Sequence, residues 1–115
     1  MATQKQINAN QMMVVLANMI KAIKIHRASN NDTLSSFQHR LLDTLIEDGT
    51  KLVLITMDMP PKKEIGNSVS KIFDNMKYNM MDILPADERN PMNKLYGDYL
   101  VFNSVAKDIL DKYLQ

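Results

Sequence analysis

The sequence predicts an all-α protein, a compact four- to five-helix bundle folded as a single domain over residues 1–115. Three observations carry this. Apolar residues recur at helical spacing through four long stretches. Glycine is scarce, at 3 in 115 residues, so few positions suit the left-handed backbone that tight hairpins need. Only one short stretch, 51–59, has the run of consecutive apolar and β-branched residues that suits a strand. Hydrophobic residues make up 45% and charged residues 23%, which supplies a core and excludes a disordered chain.

The first helix is expected over residues 8–27, behind a flexible N-terminus of residues 1–7. Met12, Leu16, Met19, Ile20 and Ile23 share one face, and Gln11, Asn18, Lys21 and Lys24 fall off it. The polar cluster Ser29-Asn30-Asn31-Asp32 ends it, because such side chains compete for the backbone. Asn31 or Asp32 caps a second helix. Its Leu34, Phe37, Leu41, Leu42 and Leu45 keep helical spacing, and Gly49 is read as its left-handed C-cap.

Residues 51–59 read two ways. As a short helix, Leu52, Ile55 and Met59 share a side and Pro60-Pro61 stops it. As a strand, Val53, Ile55, Met57 and Met59 share a face, and the lone edge must pair with another molecule. The helix is preferred, since nothing else in the chain reads as a strand. A third helix follows the prolines to about Leu84, carried by Ile65, Val69, Ile72, Phe73, Met76, Met80 and Ile83, and Pro85 ends it. A fourth is read as starting at Asn90-Pro91, with Asn90 as cap. Leu95, Tyr99, Phe102, Ala106, Ile109 and Tyr113 form one face, widened by Tyr96, Leu100, Val105 and Leu110, which makes it the expected central helix. Gly97, in its middle, is read as room for a neighbouring helix.

Several function classes lack their chemistry here. The absence of cysteine removes disulfides, thiol catalysis and thiolate metal sites, and fits a reducing cytoplasm. The longest apolar runs, Met12 to Ala17 and Leu52 to Ile55, are far short of the ~20 residues that span a bilayer, and no signal peptide is recognisable. His26 and His39 form no metal-spaced pair with one another or with a glutamate. No serine sits in a GxSxG elbow. Gly49, Gly66 and Gly97 are isolated, so no phosphate loop exists. The carboxylates at Asp43, Glu47 and Asp48, at Asp82, Asp87 and Glu88, and at Asp108 and Asp111 read as solvated faces and helix-end charges. The reading therefore assigns no catalytic residue, no cofactor, no metal site and no small-molecule substrate. The one acid–base arrangement left is His39 with Asp43, one turn apart, and an enzyme built on it ranks last.

Residues 64–66 (Glu-Ile-Gly) followed by 68–72 (Ser-Val-Ser-Lys-Ile) are similar to the second half of a helix-turn-helix motif in bacterial regulators. Gly66 to Ser68 is too short to hold both a turn and its spacing residues. A DNA-binding transcriptional regulator using a helix over 64–84, with Lys62, Lys63, Lys71 and Lys77 on phosphates, is the alternative function.

The leading expectation is a non-enzymatic protein-interaction module, a small regulator, inhibitor or immunity-type protein. Small bacteriocin-immunity proteins are similar in size and four-helix plan, with no motif shared. The net charge is only +1, but residues 1–31 hold Lys5, Lys21, Lys24 and Arg27 and no acid. Residues 32–50 hold Asp32, Asp43, Glu47 and Asp48 against Arg40 alone. Lys21, Lys24 and Arg27 are the expected partner-binding residues, facing an acidic partner in a hetero-complex or homo-oligomer. An anionic membrane surface and nucleic acid rank below that. The plainer reading turns the same cations toward the acidic second helix of the chain itself. The 10 methionines supply adaptable apolar surface for a core or an interface.

A proline at Ile55 separates the two readings of residues 51–59. Ile55→Pro is expected to unfold the chain, costing ~3 kcal/mol or more of helix stability. A variant that keeps its helical circular dichroism and merely dissociates from dimer to monomer sinks the helix assignment.

Overall fold

Thr3 starts the first helix. Its hydroxyl accepts from the Gln6 backbone N–H at 3.2 Å, and the Gln6 side chain accepts from the Thr3 N–H at 2.9 Å. This reciprocal box satisfies two of the donors a helix start leaves orphaned, so α1 runs Gln4–Ser29. The computed structural model describes residues 2–115. Of the N-terminus expected to be flexible over 1–7, Met1 lies outside the described residues, Ala2 precedes the cap, and Thr3 to Ile7 are cap and helix.

The same device sets the second helix. Ser35 and Gln38 form the box at 3.1 and 3.0 Å, rather than Asn31 or Asp32 capping, and α2 runs Ser36–Asp58 without a break. Residues 51–58 are thus helical as preferred, but they continue α2 instead of forming a separate element. Among the described residues there is no strand. The left-handed cap falls at Met59, with φ 44° and its N–H on the Ile55 carbonyl at 2.8 Å, and not at Gly49. A methionine there costs roughly 1–2 kcal/mol in backbone preference. Pro60 and Pro61 then bar any continuation.

The third helix, α3, runs Lys62–Ile83, and a short 3-10 turn follows at Ala86–Glu88. The fourth helix, α4, runs Lys94–Leu114. Its cap is Asn93, whose Oδ1 accepts from Tyr96 N–H at 3.1 Å. Asn90, the expected cap, instead closes the preceding turn by accepting from Met92 N–H at 3.0 Å. Gly97 does allow a close approach, but of that turn: an added Cβ would sit 2.8 Å from the Pro91 carbonyl oxygen.

Helices of 21–26 residues are about 32–39 Å long, and the molecule measures 45 × 30 × 21 Å. All four therefore lie along its long axis. Tyr113 donates to the Pro60 carbonyl, and Lys62 to the Gln115 carbonyl. Gln4 and Lys5 line one cleft with Met59 and Tyr113. The start of α1, the α2–α3 turn and the end of α4 thus share one end of an up-down-up-down bundle. Extensive packing joins α1 to α2, α1 to α4 and α2 to α3, whereas α3 and α4 touch far less. α4, expected to be central, has one extensive neighbour where α1 and α2 have two, and its Tyr96, Leu100 and Val105 are only half-buried.

Phe102 is fully buried in the interior, with Met12, Met19, Ile23, Leu42, Leu45, Leu52, Met76, Met80 and Leu110 among the other fully buried large side chains. The expected apolar faces of α1, α3 and α4 are the buried ones. On α2, Phe37 is the exception, more than half exposed in the first turn. Methionine is divided: Met12, Met19, Met76 and Met80 are core, and Met13, Met57, Met81 and Met92 are surface. Gly49 sits mid-helix where an added Cβ would lie 2.7 Å from Leu16 Cδ1, 3.0 Å from Met19 Cε and 3.5 Å from Phe102 Cζ. Its role is to let α2 close on α1 and α4.

Gly49→Ala gains up to about 1 kcal/mol in helix propensity against a clash that the mobile tips of Leu16 and Met19 can relieve, so its net effect is expected near zero. Gly49→Leu cannot be relieved this way and is expected to cost roughly 1–3 kcal/mol. Urea midpoints check both, and an equally stable leucine variant contradicts the packing role.

Candidate functional site

Arg27 resolves the first question about charge. Its guanidinium donates to Asp43 Oδ1 at 2.8 Å and to the His39 carbonyl at 3.3 Å, tying the end of α1 to the start of α2. Asp43 is 59% exposed, so the pair is worth under ~1 kcal/mol. The plainer reading of the cations therefore holds for Arg27, which faces its own chain. Asp43, one turn from His39, bonds Arg27 instead, and no hydrogen bond joins it to the His39 side chain. Lys21 and Lys24 are exposed, and neither pairs with a carboxylate among the described residues. The structure thus separates the three expected residues into two free cations and one engaged in folding.

The outward face of α1 is not the polar face that a bundle helix usually shows to water. Met13, Val14 and Ile25 are exposed there, and so is Ile7 near the N-terminus. Ile7 and Val14 are two turns apart and line a groove of about 610 Å³ with Val15 of α1 and Val105 and Ile109 of α4. Asn10, Gln11 and Asp108 form its polar edge. Asp108 is paired with Lys112 at 3.2 Å. α1 is thus apolar both toward the core, through Met12, Met19, Ala22 and Ile23, and away from it. This second apolar surface went unnoticed in the sequence, although Ile7, Val14 and Ile25 were there to be placed on the wheel opposite Met12 and Met19.

Half-buried His26 and buried Asp48 are both held where burial disfavours their charge. His26, in the last turn of α1, has its Nε2 sealed without a hydrogen-bond partner, while Asn30 Nδ2 lies 3.4 Å from Nδ1 and donates to the His26 carbonyl at 2.9 Å. Burial pushes its pKa below the usual value, against the pull of Glu88. Asp48 is 4% exposed, with Oδ2 unpartnered and Lys51 3.8 Å from Oδ1. Burial raises its pKa, with Lys51 lowering and Glu47 raising it. Thr56, the other buried polar residue of α2, satisfies itself by donating to the Leu52 carbonyl at 2.9 Å. Among the described residues no three His, Asp or Glu side chains are grouped to hold a metal ion. The stretch similar to a helix-turn-helix half, 64–72, lies inside one unbroken helix. No helix among the described residues is long and apolar enough to cross a membrane. No protein-family model, curated protein or solved structure matches the chain.

Opposite pH signatures follow. A folded pKa for His26 below the unfolded 6.5 means its neutral form fits the fold. Stability is full above pH 6.5 and falls as pH drops through it toward the folded value. His26→Gln is expected to flatten the urea midpoint over that window. Asp48, with a folded pKa above the unfolded 3.8, favours folding when protonated, and that contribution is lost as pH rises through 3.8 to the folded value. Asp48→Asn is expected to raise the urea midpoint at neutral pH and leave it unchanged below the unfolded pKa. Parallel profiles for wild type and variants contradict both assignments.

Proposed function

We propose that the chain is a non-catalytic protein-interaction module, a small cytoplasmic regulator or inhibitor of the immunity type, acting by binding an acidic partner protein along the outer face of α1. The observation that carries this is the two-sided apolar character of α1. Its inner face is consumed by the core, and its outer face offers Ile7 and Val14 in a groove of about 610 Å³ shared with α4. A contiguous exposed apolar patch of this kind is a recognition surface more often than a random one.

Charge selects the occupant. Residues 1–31 contain no acid, and Lys21 and Lys24 stand exposed beyond the groove. An amphipathic helix with apolar anchors every three or four residues, flanked by carboxylates, fits this surface. A second copy of the same face would set cations against cations, which disfavours self-pairing there. The lack of cysteine goes with a reducing compartment.

A photo-crosslinking residue at position 14, expressed in the native host, tests the proposal, with position 75 on α3 as control. One adduct of defined mass is expected from position 14 and none from 75. The purified partner's affinity is expected to fall at least about tenfold in Lys21→Glu/Lys24→Glu and to weaken as salt rises. No adduct at 14, the same adduct at both positions, a homodimeric adduct, or affinity indifferent to charge reversal overturns it.

A further inference from the structure

The bundle closes unevenly. α3 and α4 pack far less closely than α1 with α2, α1 with α4 or α2 with α3, and a cleft of about 390 Å³ opens along their seam. That volume lies at the small end of the range for ligand pockets. Its apolar wall is Met80, Met81 and Leu100, and its aromatic wall is Tyr96 and Tyr99, whose rings lie 5.9 Å apart with a 38° tilt. Burial, with Tyr96 beside it, pushes the Tyr99 hydroxyl up to about 12, so it stays neutral at working pH.

The polar lining is Lys77, Arg89 and Asn103, and no acidic side chain joins them. Further along the seam Asp74 and Asp111 line the cleft with Lys77 and Lys107, but no ion pair forms among them, and neither Lys77 nor Arg89 has a carboxylate partner among the described residues. Two of these side chains also carry unmet hydrogen-bonding capacity. Arg89 Nε and Asn103 Oδ1 are both sealed from water without a partner. A buried group left without a partner is costly, and a ligand that satisfied it would relieve that cost. Both residues are half-buried rather than locked, so side-chain rotation can bring these atoms to a ligand.

We propose that the α3–α4 cleft is a binding site for a small aromatic monocarboxylate carrying one hydrogen-bond donor. The carboxylate takes the side-on fork of Arg89, using Nε–H and one terminal N–H, a planar two-point match that a guanidinium makes and an ammonium does not. Lys77 adds the second positive charge. The ring stacks against the Tyr96–Tyr99 wall and the methionine sulfurs. The donor meets Asn103 Oδ1. This site is separate from the α1 face, and neither reading depends on the other.

The test uses 3-(4-hydroxyphenyl)propionate as probe, with nuclear magnetic resonance following backbone amides and the Arg89 Nε–H. Saturable shifts are expected at Met80, Met81, Tyr96, Leu100, Asn103 and the Arg89 Nε–H, with a Kd of roughly 0.1–1 mM. Replacing the carboxylate by a primary alcohol is expected to weaken binding at least about tenfold, and 3-phenylpropionate, which lacks the donor, about fivefold. Arg89→Gln and Lys77→Gln are each expected to weaken the probe about tenfold while the helical circular dichroism of both variants stays that of the wild type. Absence of saturation at millimolar probe, shifts centred on Lys21 and Lys24, equal binding of the alcohol, or indifference to both variants overturns the proposal.

Discussion

The bundle is built on how closely α2 lies against its neighbours, and the absence of a large side chain at Gly49 permits that closeness. At Gly49 the backbone of α2 meets the tips of Leu16 and Met19 from α1 and the ring edge of Phe102 from α4. Three helices therefore converge on a point where no Cβ exists. A larger residue would hold them apart just where the fully buried Phe102 ring enters from α4. Dense interiors tolerate little such displacement. The position of Asp48 next door follows from the same closeness. A carboxylate beside Gly49 on a tightly seated helix is carried into the interior, where its second oxygen finds no partner.

The helices were legible because their apolar period is strong; their ends were legible only where the local chemistry has a single meaning. Pro60-Pro61 and Pro85 stop helices wherever they occur. Gly49 had two meanings, C-cap and close contact, and nothing local distinguishes them, since the atoms that decide come from residues 16, 19 and 102. The helix starts are written in local chemistry. Thr3 with Gln6 and Ser35 with Gln38 are both capping boxes in plain sequence, whereas the denser polar cluster at 29–32 ends α1 without capping α2. Asn93 and Asn90 are both competent caps, and the choice rests on the turn around Pro91.

The candidate surfaces divide along the same line. Exposure of Lys21 and Lys24 follows from their position off the apolar face of α1. The engagement of Arg27 depends on register between two helices, which the short connection makes plausible and only packing fixes. The α3–α4 cleft is a wholly tertiary feature. Lys77, Arg89 and Asn103 lie on α3, a loop and α4 respectively, and no spacing in sequence relates them. The protein thus shows two contrasting exteriors. One is an apolar ridge along α1 on which Lys21 and Lys24 stand without a carboxylate partner among the described residues. The other is a narrow opening where aromatic rings meet an unpartnered donor, Arg89 Nε, and an unpartnered acceptor, Asn103 Oδ1.

The pairing of the first helix with the last has a consequence for how the chain reaches this form. Neighbouring hairpins, α1 with α2 and α2 with α3, close short loops. The α1–α4 interface, as extensive as either, joins residues about as far apart as the polypeptide permits. Ends that distant are brought together against a loop entropy that grows with the logarithm of separation, and such contacts slow folding. The terminal helices then lie side by side, with Gln4 and Lys5 sharing a cleft with Lys112 and Tyr113. Topologically the polypeptide is a ring of four helices with one gap in its covalent path, so a short linker across that gap would turn its most distant interface into a local one.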